Sequence, residues 1–133
     1  MIPIMRQVER LDAIVLRMSG EIASNTGDDE FFQRMALLRF SMNDAICTLY
    51  GFALRQESCF INDDHLYRFC RGIEVIKQRV VAHQNRWTTE AIRNDTEGYV
   101  HASIKSANDL RKWLSQIQAE FRLWTRGRLE AGC

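Results

Sequence analysis

Residues 29–54 read DEFFQRMALLRFSMNDAICTLYGFAL, and their periodicity decides the fold. Phe31, Met35, Leu38, Met42, Ala45, Leu49 and Phe52 step alternately by four and three residues. That repeat keeps apolar side chains on one face of an α-helix, whereas a half-buried strand needs a period of two. Phe32, Ala36, Ile46, Tyr50 and Ala53 widen the stripe beyond a two-stranded seam. The segment is therefore expected to be a central bundle helix with more than one neighbour.

Working outward, the same spacing recurs. Upstream, Ile4, Val8, Leu11, Val15, Met18 and Ile22 predict a helix from Pro3 to Ala23, with proline suited to a first helical position. Asn25, Thr26, Gly27 and Asp28 should end it and cap the next. Downstream of residues 55–62, Asp63 or Asp64 is expected to cap a third helix carrying Leu66, Phe69, Ile73, Ile76, Val80, His83 and Trp87 at heptad steps. Residues 88–102 are polar and hold Arg93, Asn94, Asp95 and Gly98, so they read as a mobile loop or a short extra helix. A last helix is expected from near Ser103 or Ser106 through Ala107, Leu110, Leu114, Ile117, Phe121 and Trp124. Arg122, Arg126 and Arg128 at its end suit the partial negative charge of the last carbonyls. The expectation is an all-α, antiparallel bundle of four helices, five if 88–102 adds one, forming a single domain over residues 1–133.

Composition narrows the function classes. The chain has 133 residues, 46% hydrophobic and 26% charged, ordinary for a globular domain. No apolar run approaches the roughly 18–20 residues that cross a bilayer, so no membrane attachment is expected. Cys47, Cys59, Cys70 and Cys133 form no paired motif at zinc-ligand spacing. Cys47 and Cys70, inside helical patterns, read as small buried hydrophobes, and a cytoplasmic location is expected. No metal and no cofactor is expected, for no Glu-x-x-His pair, Gly-rich phosphate loop or serine nucleophile motif is present. The net charge of +1 is unevenly spread. Residues 1–70 hold seven Lys/Arg against ten Asp/Glu, and residues 71–133 hold eleven against seven. The basic half is a weak pointer towards nucleic acid.

One polar residue interrupts the third stripe. On a helix, Arg79 lies about 40° and Arg86 about 60° from His83 on the same side, with Ile76, Val80 and Trp87 on the other. An imidazole titrates near neutral pH, and guanidinium groups beside it would hold a phosphate and favour the neutral, basic form. Phosphodiester cleavage needs a base, an acid and cationic stabilisation. A single histidine supplies one proton-transfer group, so a symmetric homodimer would be needed to supply a second. The competing expectation is a hydrogen-bonded core histidine, with Arg79 and Arg86 paired to acids such as Glu74 or Glu90.

The segment Ile76-Lys77-Gln78-Arg79-Val80-Val81-Ala82-His83-Gln84-Asn85-Arg86 resembles the Arg-to-His signature of the HEPN family. The resemblance implies a small, commonly dimeric helical bundle of the toxin–antitoxin, defence or RNA-processing kind, many of whose members are metal-independent endoribonucleases. It implies His83 and Arg79 as catalytic residues, with Arg86, Lys77 and Asn85 contacting RNA. Three residues separate Arg79 from His83, fewer than the family's usual spacing, and Lys77 stands six before His83. A bundle that lost the catalytic geometry would remain a degenerate RNA-binding relative.

His65 and His101 read as helix-end histidines. Trp113, beside Arg111 and Lys112 and off the main stripe, is the candidate interface residue, for RNA or for protein. Two readings follow: a HEPN-like, RNA-directed protein acting as a homodimer, or a non-enzymatic bundle serving as a subunit or regulator of a protein complex.

Overall fold

The fold is taken from a computed structural model that describes residues 3–24, 27–55, 60 and 62–124, the side chains of 3 and 120–124 excepted. Asn25, Thr26, Cys59, Arg126, Arg128 and Cys133, and the side chains of Phe121, Arg122 and Trp124, lie outside the described residues, as do the roles expected of them. The described residues form five helices: α1 Pro3–Ala23, α2 Asp29–Arg55, α3 Asp63–Arg86, α4 Thr89–Asn94 and α5 Thr96–Trp124. The four long ones form a ring in which α1 touches α2 and α5, and α3 touches α2 and α5.

Cross-helix bonds fix the directions. Arg10 pairs with Asp44 and Glu21 with Arg34, so α1 and α2 run oppositely. Asn43 meets Gln84 and Tyr50 meets Glu74, which makes α2 and α3 antiparallel. Gly72 lies against Trp113 and His83 against Ser103, and α3 and α5 are antiparallel as well. The bundle is all-α and antiparallel, and residues 88–102 contribute one short helix.

The expected stripes are the core. Ile4, Val8, Leu11, Val15 and Ile22 of α1 are at most 4% exposed, and Phe31, Met35, Ala45 and Leu49 of α2 at most 2%. The core has two adjoining parts. The larger draws on all four long helices, and the smaller gathers Ile22, Phe31, Met35, Leu38, Trp87, Ile92 and Tyr99. Met18 packs against both.

Four expectations need correction. Cys47 is exposed, whereas Cys70 is buried as expected. Two residues beyond Ala45, Cys47 is turned about 200° away from the core. Ala36 is exposed on that same outer face of α2. The cap of α3 is Asn62, whose side-chain oxygen accepts from the His65 N–H, and Asp63 and Asp64 sit in the first turn, where carboxylates favour the dipole.

The last helix begins at Thr96, well before Ser103. Asp95 is the reason. Its N–H donates to the Ala91 carbonyl, closing α4 at 3.0 Å, while its carboxylate accepts from the Gly98 N–H at 2.9 Å and opens α5. A side chain on Gly98 would collide with that carboxylate. The residues that read as breakers are thus a cap, and Tyr99, 1% exposed, anchors the new first turn in the smaller core. Arg93 ties α4 down by bonding Asp29 at 3.0 Å and lying over the Phe32 ring.

Replacing Asp95 with Ala removes the side-chain cap of α5, keeps the backbone bond that closes α4, and is expected to cost about 1 kcal/mol. Urea denaturation followed by circular dichroism measures this. An unchanged midpoint would show that Asp95 does not hold the α4–α5 junction.

Candidate functional site

Helices α3 and α5 approach closely because Gly72 has no side chain: a β-carbon there would stand 3.1 Å from the Trp113 indole. Trp113 is half-buried and packed against the larger core, so much of its ring is already engaged within the chain. At the other end of the pair, His83 Nε2 and Ser103 Oγ are 3.1 Å apart. Ser103 is buried, 4% exposed. Two polar residues on facing stripes thereby satisfy each other, as buried polar groups must.

Other groups surround the half-buried imidazole. Tyr99 stacks on it with ring centroids 6.2 Å apart, and Trp87 meets Tyr99 edge-on at 5.6 Å. Arg39 of α2 reaches across to donate to the Trp87 carbonyl at 2.8 Å, which satisfies a carbonyl at the end of α3. Burial first, and the Arg39 charge second, hold the His83 pKa below its ordinary value. The neutral, proton-accepting form is favoured. The Ser103 hydroxyl is enclosed, and its contact with His83 ties α5 to α3.

Between the Gly72 and His83 contacts runs a groove of about 270 Å³. Ile76, Arg79, Val80 and His83 line it from α3, and Ala102, Lys105, Ser106, Asp109 and Leu110 from α5. The structure thus brings Arg79 and His83 together. Arg79 is exposed and pairs with no acid among the described residues. Glu74 is held instead by Arg71 at 3.0 Å and by the Tyr50 hydroxyl. Arg86 lies over the Trp87 ring, 4.6 Å from its centroid. Lys77 is exposed on the opposite flank of α3, beside Cys47, Tyr50 and Glu74, and Asn85 is exposed and does not line the groove.

Sequence reasoning missed the α5 wall and Arg39. Ser103 and Ser106 read as helix starts in the sequence, although the steps from Tyr99 through Ser103, Ser106 and Leu110 continue the α5 stripe backwards. A polar residue on each of two facing stripes was the available signal. Arg39 carried none, because its contact lies 48 residues away in sequence. His65 is bonded to Asn62 at the start of α3, and His101 is exposed. His83 is therefore the one of the chain's three histidines that lines the groove.

Among the described residues, no group of three or more His, Cys, Asp or Glu side chains is arranged to hold a metal ion. No described helix is long and apolar enough to cross a membrane. No family model, no curated protein and no solved structure matches the chain.

The lowered His83 pKa fixes the sign of one pH effect. Above an unfolded-state pKa of about 6.5 both states are neutral. Below it the unfolded chain binds the proton first, so stability falls as pH falls from there through the lower folded value. The melting temperature should drop between about pH 7.5 and about pH 5.5, and His83→Gln should flatten that dependence. An equally steep profile in the variant would remove His83 as its source.

Proposed function

We propose that the α3–α5 groove binds RNA through its phosphate backbone, with Arg79 as the principal contact and Lys105 as a second. The observation that carries this reading is an exposed guanidinium, unpaired among the described residues, standing beside a half-buried histidine in a groove with a second cation. An exposed arginine without an internal acid is free to make the bidentate contact a phosphate accepts. The resemblance of residues 76–86 to the HEPN signature favours RNA over other polyanions. It also favours a role of the toxin–antitoxin or defence type.

Binding is the part of that resemblance the groove supports best. Cleavage without a metal needs a base and an acid, and His83 is the only imidazole here. Endoribonuclease action would therefore require a second protomer across the groove.

Fluorescence anisotropy with a single-stranded RNA oligonucleotide tests the proposal. Affinity should weaken steeply between about 50 and 200 mM salt. The Arg79→Ala/Lys105→Ala double variant should bind about tenfold or more weakly, with a salt slope reduced by about one to two. Salt-independent binding, or a double variant equal to the parent, would refute it. Incubation of the same RNA in chelator separates binding from cleavage.

A second reading, a non-enzymatic subunit or regulator, is favoured by the outer face of α2. Leu37 and Phe40 stand there 69% and 72% exposed, with Ala36 and Cys47 alongside. Contiguous exposed apolar surface commonly marks a protein contact, and a second copy of the chain is the commonest partner. α2 is diagonal to α5 in the ring, so a homodimer closed through this face would leave its two grooves apart. Under this reading Phe40→Glu stays folded and abolishes self-association in sedimentation velocity; a parent chain that sediments as a monomer contradicts it.

A further inference from the structure

Helix α2 carries a second heptad stripe besides the one that enters the core. Leu37, Phe40, Asp44, Cys47, Gly51 and Leu54 step alternately by three and four residues. At 100° per residue the middle of this stripe lies about 160° from that of Leu38, Met42, Ala45 and Leu49. Phe40, Leu37 and Leu54 are 72%, 69% and 48% exposed, and Cys47 is exposed between them. Asp44, the one charge in the stripe, is turned to the α1 flank, where Arg10 bonds it at 2.9 Å.

Gly51 is a second observation. A glycine inside a helix weakens it relative to alanine. The fold gives a reason for Gly72, which makes room for Trp113, but none for Gly51. The nearest atoms to a β-carbon at Gly51 would be those of the Arg55 guanidinium, the closest at 3.2 Å, on a side chain that can move aside. The exposed face of α2 therefore combines its most exposed ring, Phe40, with a recess at Gly51.

We infer that two copies of the chain pair through this stripe, α2 antiparallel to α2, with Phe40 of each copy seated at Gly51 of the other. The inference rests on the reading of this face as a self-contact and fixes how the two surfaces meet. This register also sets Leu37 against Leu54 and Asp44 against Cys47, so every position of the stripe has a partner. A parallel pair would set Phe40 against Phe40 and the Asp44 carboxylates against each other. Sliding the antiparallel pair by a heptad sets Phe40 against Asp44 in one direction. In the other it leaves Leu37 and Phe40 beyond the end of α2. The Arg55 guanidinium at Gly51 gives the incoming Phe40 ring a cation–π partner. From Leu37 to Leu54 the stripe is about 26 Å long, so the contact belongs with small, reversible interfaces and not with obligate ones.

Sedimentation equilibrium of the full chain, up to millimolar concentration, tests the association and its register together. The parent should show a reversible monomer–dimer equilibrium. Gly51→Leu fills the recess from outside the core and should weaken dimerisation about tenfold or more. Its dilute melting temperature should be no lower than the parent's, because leucine is the better helix former. In a Cys59→Ser/Cys133→Ser background, a short bifunctional thiol reagent should join the two Cys47 side chains, which lie within about one helical turn of each other across the two-fold axis. Cys47→Ser should abolish that product, since Cys70 is buried. A parent dimer that Gly51→Leu leaves unweakened, or that yields no Cys47 product, overturns the inference and leaves the self-contact reading standing. A parent that stays monomeric overturns both. The stripe shares no residue with the α3–α5 groove, so each outcome is read independently of RNA binding.

Discussion

Folding takes the imidazole of His83 out of bulk water at the place where the α3 stripe meets α5, and one end of the bundle is arranged around that event. Ser103 must face it from α5, because an enclosed ring nitrogen needs a hydrogen-bond partner. Tyr99, one turn earlier, stacks on the ring and links it through Trp87 to the smaller core. For Tyr99 to be there, α5 has to begin before it, and the double cap of Asp95 makes that start. Arg39 then sits close enough to oppose a second positive charge.

The same histidine forms part of two walls. Its outer side belongs to a groove with Arg79 and Lys105, and its inner side to a cavity with Arg39 and Gln84. Arginine serves the two places differently. Arg79 is solvated and unpaired, suited to a polyanion that approaches from outside. Arg39 is half-buried and bonded to backbone, which fixes its direction.

Much of the fold was legible because its signal is periodic. The heptad steps of α1, α2 and α3 place Leu11, Leu49 and Ile73 in the core without any tertiary information. The α4–α5 junction was not legible, since Asn94, Asp95 and Gly98 are equally good breakers and caps, and only the geometry decides between those roles. Cys47 and Ala36 were misplaced because an α2 that is apolar on nearly every side gives its pattern no clear edge. At the site, His83 and Arg79 could be found on one helix from spacing alone. Ser103, Lys105, Gln84 and Arg39 enter through contacts between helices, which spacing within a segment does not encode.

The claim beneath these assignments is that His83 is held neutral by burial and by the neighbouring Arg39 charge. The most direct measurement is an NMR titration of all three histidine side chains in the folded protein. His83 should titrate below about 6.5, and its value should rise when Arg39 is replaced by Met. A His83 pKa at or above about 6.5 would contradict the account.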